Sequence, residues 1–212
     1  MTQLRAKYVP DIENMPQQEI LETLMAVEKN GLDCLNWGEF PYKPEVGFHL
    51  AYSNNALAVL WEVKEDHVRA VSLEDNGPVW EDSCVEFFVS DPNGSGYFNF
   101  EMNCIGTVLA AKRTSRTDAQ HFGPETMSRI RNFGSLAHQI IDCQKADQEW
   151  WRVIMIPFSV IGLEGAPASL NCNFYKCGDN CVRQHFLSWA PIEAPAPNFH
   201  CPEFFAEVIL DR

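Results

Sequence analysis

Residues 80–103 read WEDSCVEFFVSDPNGSGYFNFEMN, a pattern typical of two β-strands joined by a turn. Successive side chains of a strand point to opposite faces. In the first strand this period separates a mixed set from an apolar set: Cys84, Glu86 and Phe88 against Val85, Phe87 and Val89. The apolar set is expected to face the core. Glu86 then projects among apolar neighbours, where a carboxylate is costly unless it is paired or meets a ligand; a hydrogen bond to a neighbouring loop is the simpler alternative.

The turn between these strands is formed by residues 91–96, DPNGSG, whose residue types favour chain reversal. The second strand should therefore return antiparallel to the first. It continues the apolar face with three residues and the opposite face with four: Phe98, Phe100 and Met102, and Tyr97, Asn99, Glu101 and Asn103. Depending on the register, either Glu101 or Asn103 lies beside Glu86.

Most of the remaining chain consists of short β-type runs separated by turn residues. Besides 83–90 and 97–103, the predicted strands are 46–52, 56–63, 67–72, 107–112, 137–143, 150–156, 169–175, 186–189 and 204–210. One helix is predicted over residues 16–29, where Pro16 occupies the first turn and apolar residues recur at helical spacing. Asn54-Asn55 is predicted to be a hairpin turn, and residues 158–161 a single helical turn.

Strands do not alternate with helices along the chain, so the connections are predicted to be mainly antiparallel. The predicted fold class is all-β: an antiparallel two-sheet β-sandwich, jelly-roll-like, with one N-terminal α-helix. We predict one domain over residues 1–212. Residues 1–45 hold the helix and a connector rich in Pro and aromatic residues, and 46–210 form the sandwich. The helix is expected to pack against the outside or the end of a sheet.

The charge of the chain restricts its partners. The formal net charge is −13 and the pI is near 4.8, which disfavours nucleic acid and anionic membranes because both attract cationic surfaces. The densest basic cluster, Lys112, Arg113 and Arg116, is short and interrupted by Thr and Ser, and we interpret it as a solvated loop without a function. The oligomeric state is left open.

The N-terminal residues lack the apolar run of a secretion signal. The expected location is cytoplasmic if Met1 is the native start, and secreted or periplasmic if a signal was removed. In the cytoplasm the eight cysteines would be reduced. One group of residues could be assembled into a zinc site, although its spacings match no zinc ribbon or finger, and no metal is assigned: Cys172, Cys177, Cys181, His185, His200 and Cys201.

Two parts of the chain carry a resemblance to a known family. The first is an aromatic residue before DSCVEFFV, a Gly-containing turn and YFNFEMNCIGT; the second is NFYKCG (173–178), FLSWAP (186–191) and NFHCPEFF (198–205). These motifs resemble carbohydrate-binding module family 9 and its relatives over roughly residues 40–210. The resemblance implies a β-sandwich that binds a mono- or oligosaccharide without catalysis. It also implies that two aromatic rings grip the sugar, often at a reducing end, while a carboxylate and other polar groups bond its hydroxyls.

The resemblance carries over to individual positions. It implies that Trp80 is one clamp ring and that Glu86, six residues later, is the carboxylate that bonds the sugar. The second ring is either Phe199 or Trp189. Where the better-known members have an Arg, this chain has Glu101, so two carboxylates would face one another and could bind a cation, share a proton or grip hydroxyls from both sides. The predicted carbohydrate-binding residues are Trp80, Glu86, Glu101, Asn103, Trp189 and Phe199.

Two other functions remain alternatives at this point. Paired carboxylates such as Glu86 and Glu101 could serve a glycoside hydrolase, or this could be an accessory domain of one. A cytosolic protein-interaction or haem-binding sandwich is the second alternative. No catalytic residue and no cofactor is assigned, with a structural calcium ion at the acidic turns of Asp91 and Asp179 as an option.

Overall fold

The computed structural model describes residues 4–211, and the side chains of all of these except 143–147 and 211. This part of the chain is mostly β-structure. Its two helices are α1 (Gln17–Met25) and α2 (Pro124–Met127), and no helix in it is long and apolar enough to span a bilayer. Its strands are β1 (Leu4–Tyr8), β2 (Lys29–Gly31), β3 (Cys34–Leu35), β4 (Glu45–Tyr52), β5 (Ala56–Ala70), β6 (Cys84–Ser90), β7 (Tyr97–Asn103), β8 (Val108–Arg113), β9 (Gln120–His121), β10 (Arg131–Gly134), β11 (Ile141–Pro157), β12 (Ser169–Cys177), β13 (Phe186–Ser188) and β14 (Ala206–Asp211).

The strands form one continuous sheet with the order β10-β11-β5-β4-β1-β14-β12-β6-β7-β8-β9. β1 pairs in parallel with both β4 and β14. The sheet is therefore mixed, which corrects the predicted fold class of a purely antiparallel sandwich, although the other strand pairs in the described part of the chain are antiparallel. The physical reason is that the N-terminal residues, predicted to lie outside the sandwich, insert as a strand between its two halves.

The sheet curls so that its two halves face each other. We call β10, β11, β5 and β4 layer A, and β12, β6, β7, β8 and β9 layer B. Phe48 of β4 stacks on Phe174 of β12 with ring centroids 4.1 Å apart, although a flat sheet would separate these strands by about 14 Å. The main core fills the space between the layers and includes Val85, Phe87 and Val89, the face predicted to be apolar.

Two predicted interruptions in the strands are absent, because β5 and β11 are each one long strand. They pair with each other from Ala56 to Ala70, with register shifts near one end instead of turns. Polar residues within both runs suggested breaks, yet the pairing continues past them. The hairpin turn at Asn54-Asn55 and the helical turn at Phe158–Ile161 are confirmed.

The predicted helix is confirmed as α1, which packs on the outer face of layer A. Its Ile20 and Leu24 are fully buried against side chains of β4, β5 and β11. The second helix, α2, spans a single turn and was not predicted.

The outer face of layer B is covered by loops rather than by a helix. A second apolar cluster there joins strand residues such as Phe88 and Tyr175 to Trp37 of the 36–44 connector and Phe199 of the loop before β14. The polar side chains of β6 and β7 point toward this covered region. The loop 189–205 therefore closes over the strand pair that begins at Cys84.

The turn between β6 and β7 depends on one glycine. Gly96 has φ +107°, and a Cβ there would overlap the Arg113 carbonyl oxygen of the neighbouring strand. We expect Gly96→Ala to lower the free energy of unfolding by about 2 kcal/mol, because both the positive φ and the overlap strain the backbone. Gly94→Ala is the matched control, since its Cβ would meet only the Asp91 side chain at 3.4 Å. Equal urea midpoints for the two variants would contradict this role of Gly96.

Candidate functional site

A cavity of about 180 Å³ opens on the outer face of layer B, between the strands and the covering loop. Its walls combine aromatic rings with both signs of charge. The lining residues are Trp80, Glu86, Glu101, Arg113, Arg116, Cys177, Asp179, Phe186, Pro197, Asn198, Phe199 and His200. Four of the six predicted carbohydrate-binding residues are among them.

Glu86 and Glu101 form the floor of the cavity. The register of β6 and β7 places them directly opposite each other, which decides between the two registers left open by the sequence. Both side chains are almost fully buried. Glu101 accepts a hydrogen bond from the Asn99 amide at 2.8 Å, and Glu86 accepts one from the Cys177 thiol at 3.0 Å.

Burial controls the protonation of these two carboxyls. Desolvation raises the pKa of Glu101 to about 7, opposed by the Asn99 hydrogen bond and the Arg113 charge. The pKa of Glu86 is raised well above its ordinary value, first by desolvation and then by the charge of Glu101. Both carboxyls therefore hold a proton more readily than exposed carboxyls do, and because they are directly opposed they titrate as a pair.

A third carboxyl and two guanidinium groups line the rim. Asp179 is desolvated, which raises its pKa to about 6. Arg113 is buried and donates from Nε to the Asn99 oxygen at 3.0 Å, so Arg113, Asn99 and Glu101 form one hydrogen-bonded chain. Arg116 accepts at its carbonyl a 2.6 Å hydrogen bond from Arg113.

The interpretation of the basic cluster as a solvated loop is wrong for Arg113. This residue ends β8, and the period of two places it on the same face as Asn99 and Glu101 of the adjacent β7. That spacing was the signal in the sequence: Leu109, Ala111 and Arg113 alternate with core residues. Although Arg113 is buried, its guanidinium group donates hydrogen bonds to the Asn99 oxygen and to the Arg116 carbonyl.

Trp80 forms one wall of the cavity. It lies in a 3₁₀ turn, Val79–Glu81, and two residues separate this turn from the start of β6 at Cys84. Its carbonyl accepts a hydrogen bond from the Asp179 backbone N–H at 3.2 Å, which fixes the turn to the end of β12. The side chain is 38% exposed, so this large ring is held in place while part of it remains open to solvent.

The two candidates for the second ring lie in different places. Phe199 lines the cavity and stacks on Tyr175 at 4.3 Å, with ring planes 10° apart. Trp189 packs against Phe48 and Phe174, at 6.4 and 5.9 Å, on the side of the main core. The structure thus brings Phe199, not Trp189, to the same cavity as Trp80.

His200 follows Phe199 in the covering loop and was not predicted as a site residue. Its Nδ1 lies 2.8 Å from the Tyr97 hydroxyl, and desolvation lowers its pKa to about 3. The ring is therefore neutral at physiological pH, and its Nδ1 shares a hydrogen bond with the Tyr97 hydroxyl. This bond ties the covering loop to β7.

Asn103, a predicted site residue, lies in a different hydrogen-bond network. Its amide donates to Asp82 and to the Ser72 carbonyl, both at 2.9 Å, and its oxygen accepts from the Thr107 amide at 2.9 Å. Asp82 is fully buried and also pairs with Arg69 at 2.5 Å. The amide of Asn103 thus holds the β7–β8 turn to the segment before β6.

We expect Asn103→Ala to act on stability rather than on ligand affinity. Removing the amide leaves buried partners unsatisfied, which should cost about 2 kcal/mol of unfolding free energy. Denaturant unfolding measures this loss of stability. Titration of the folded variant with a ligand that the wild-type protein binds measures its affinity. Wild-type stability with lost ligand binding would contradict the assignment.

The two acidic turns considered for calcium, those of Asp91 and Asp179, differ in their surroundings. Asp91 pairs with Lys112 at 2.6 Å and accepts from the Asn93 amide at 2.9 Å. Asp179 lies at the cavity rim, remote in the chain from the turn of Asp91. Asp91 therefore has a positive partner on β8, the strand that pairs with β7.

Comparison with known proteins adds a family and a fold. The sequence profile of carbohydrate-binding family 9 matches residues 16–210. A crystal structure from Bacteroides uniformis ATCC 8492, described as a "putative carbohydrate-binding protein", is 35% identical, with 99% of each chain covered and a TM-score of 0.93. Among curated proteins, none matches this sequence.

Two solved family 9 modules from Caldicellulosiruptor kristjanssonii share the fold at 13% identity. One was solved with glucose, has a TM-score of 0.64, and aligns over 99% of this chain and 96% of its own. The other was solved with cellotriose, has a TM-score of 0.65, and aligns over 99% and 93%. The curled sheet described above is thus shared with modules of very different sequence.

Proposed function

The chain belongs to carbohydrate-binding family 9, and on that premise we propose that it binds a mono- or oligosaccharide, without cleaving it, in the cavity between Trp80 and Phe199. One observation carries the proposal. A half-exposed indole ring and two directly opposed carboxyls, Glu86 and Glu101, converge on a single cavity.

The aromatic walls suit the faces of a pyranose. Sugar rings present apolar C–H groups on their faces and hydroxyls around their edges, so a flat aromatic ring can cover a face while polar groups meet the edge. Trp80 offers such a ring, since 38% of its surface is open. Phe199 is backed by Tyr175 and supplies a rigid ring on the other side.

The polar floor offers both donors and acceptors to hydroxyl groups. The opposed carboxyls of Glu86 and Glu101 accept hydrogen bonds, and whichever of them carries a proton also donates one. The guanidinium groups of Arg113 and Arg116 add donors at the rim. Such a mixed set fits hydroxyls, each of which is itself donor and acceptor.

The size of the cavity sets how much of a ligand is enclosed. Its volume of about 180 Å³ is below the roughly 300 Å³ at which pockets for drug-sized ligands begin. We infer that one sugar ring occupies the cavity and that further residues of a longer ligand extend into solvent. Glucose and cello-oligosaccharides are the first ligands to test, because two modules of the family were solved with glucose and cellotriose.

Calorimetric titration with hexoses, disaccharides and cellotriose tests the proposal. We expect saturable heat from at least one of these sugars, with a dissociation constant on the order of 0.1 mM, because a small open site must offset the ordering cost of binding. No heat from any sugar would contradict the proposal. A parallel assay for reducing sugar released from cello-oligosaccharides separates binding from hydrolysis, and release would instead favour a glycoside hydrolase.

A further inference from the structure

Two thiols and a carboxyl meet beneath the cavity. Cys84 of β6 and Cys177 of β12 are directly opposed in the strand register, and Glu86 lies two residues beyond Cys84 on the same face. One ligand atom from each of the three lies within 4.8 Å of the other two. Among the residues whose side chains are described, no other group of His, Cys, Asp or Glu meets this criterion.

We propose that Cys84, Glu86 and Cys177 form a binding site for a thiophilic divalent cation, with Zn²⁺ as the first candidate. Thiolate donors select zinc and other soft or borderline metals, whereas Mg²⁺ and Ca²⁺ require oxygen ligands throughout. Two sulfurs and one carboxylate oxygen supply three of the four positions of a tetrahedral zinc ion. The fourth is left open, as in zinc sites that accept an exchangeable ligand.

The spacing of the donors is close to that of a bound ion, since the three ligand atoms all lie within 4.8 Å of one another. Zinc bonds of about 2.1–2.3 Å place tetrahedral ligand atoms about 3.5 Å apart. Cys177 Sγ and Glu86 Oε1 are 3.0 Å apart, so they need to separate only slightly. The donors extend from two paired strands of a packed sheet, which fixes their spacing more firmly than a loop would.

The open position faces the cavity, which also provides the entry route. Glu86 and Cys177 both line its wall, whereas Cys84 lies behind them and is fully buried. A cation would also compensate carboxyls that crowd this region, since Glu101 and Asp179 both raise the pKa of Glu86. An ion arriving through the cavity thus meets its three ligands at the cavity floor.

The site differs from the grouping that the sequence suggested. Cys172 and Cys177 are five residues apart on one strand, so they point to opposite faces, and Cys172 belongs to the main core. His185 is hydrogen-bonded to Lys176, with 2.6 Å between its Nε2 and the Lys176 Nζ. Cys177 is the one member of the earlier grouping that contributes.

Metal binding must release protons. Burial raises the pKa of Cys84 to about 12 and that of Cys177 well above its ordinary value, so both are thiols before the metal arrives. Binding forms two Zn–S bonds and one Zn–O bond. It transfers the two thiol protons, and the Glu86 proton when present, to solvent.

Zinc and sugar would compete for Glu86. This coupling rests on the proposed function, whereas metal binding does not. If it holds, saturating Zn²⁺ should weaken sugar affinity at least tenfold, and sugar should weaken Zn²⁺ affinity by the same factor. Unchanged sugar affinity in the zinc-loaded protein would overturn the coupling alone; absence of sugar binding without metal would count against the proposed function.

Titration of the full, reduced chain with Co²⁺ tests the site. We expect one equivalent to bind with the strong visible absorption of tetrahedral thiolate cobalt, and Zn²⁺ to displace it. Cys84→Ala, Cys177→Ala and Glu86→Gln should each weaken binding at least tenfold. Cys172→Ala, which removes a buried thiol from the same strand, should bind like wild type.

Glu86→Gln keeps the inference testable if a cysteine variant fails to fold, because Gln has nearly the size of Glu and brings no charge into this buried position. Thermal unfolding verifies the fold of each variant. Absence of thiolate absorption in the wild-type protein would overturn the site. Unchanged Co²⁺ affinity in folded Cys177→Ala or folded Glu86→Gln would overturn it as well.

Discussion

Replacing Trp80 with alanine is expected to weaken sugar binding at least tenfold while the fold is preserved. The ring is held by its turn but is 38% exposed, so it contributes contact area to a ligand more than to the core. Truncation of a central aromatic contact typically costs about 2 kcal/mol or more of binding free energy, and about 1.4 kcal/mol already corresponds to tenfold. Calorimetric titration of wild type and variant with the same sugar measures the loss.

Two variants control this experiment. Trp80→Phe keeps a flat ring and should retain most of the affinity. Trp151→Ala removes a half-buried indole from layer A, which packs against Phe133 on the opposite side of the molecule, and should leave sugar affinity unchanged. Equal affinities for wild type and Trp80→Ala would place the sugar elsewhere.

Replacing Glu101 with glutamine is expected to stabilise the protein increasingly as pH rises. The folded pKa of Glu101 is about 7, against 4.5 for an ordinary Glu, because the side chain is desolvated. Between these values the folded state holds a proton that the unfolded state has lost, so the wild type loses stability with increasing pH. The free energy of unfolding that the wild type loses in this way is roughly 3 kcal/mol at pH 8, since one pKa unit corresponds to about 1.4 kcal/mol.

The difference in unfolding free energy between the variant and the wild type isolates the contribution of Glu101 from the contributions of other titrating groups. His200, for example, has a lowered pKa, and it stabilises the fold as pH rises toward 6.5. By denaturant unfolding, we expect wild type and Glu101→Gln to have equal unfolding free energies near pH 4.5 and the variant to be more stable by pH 8. Glu207→Gln, at an exposed position of β14, should show no such difference from wild type. A pH-independent difference for Glu101→Gln would contradict the raised pKa.

Local patterns were sufficient to predict most of the strands and their faces. The period of two in residues 84–89 separated core from cavity side chains, and β7 has the predicted bounds. The same pattern could not choose between Glu101 and Asn103 as the partner of Glu86. That choice depends on the turn, where the chain returns so that Ser90 pairs with Tyr97.

The features that were missed depend on contacts between distant segments. β1 is only five residues long and gains its place by pairing with β4 and β14, neither of which is adjacent to it in sequence. Arg113 reads as a loop charge until β8 is known to lie beside β7. Cys84 and Cys177 become neighbours only because β6 pairs with β12, 93 residues later in the chain.

The central claim is that the cavity beside Trp80 is the sugar site, and the indole N–H resonances of the ¹⁵N-labelled protein test it most directly. The chain has six tryptophans, and the Trp80 signal is identified by its loss in Trp80→Phe. On titration with the tightest-binding sugar we expect the Trp80 signal to shift in step with saturation, while Trp150 and Trp151, which line a groove on layer A, stay in place. A shift confined to Trp150 and Trp151, with Trp80 unmoved, would contradict the account.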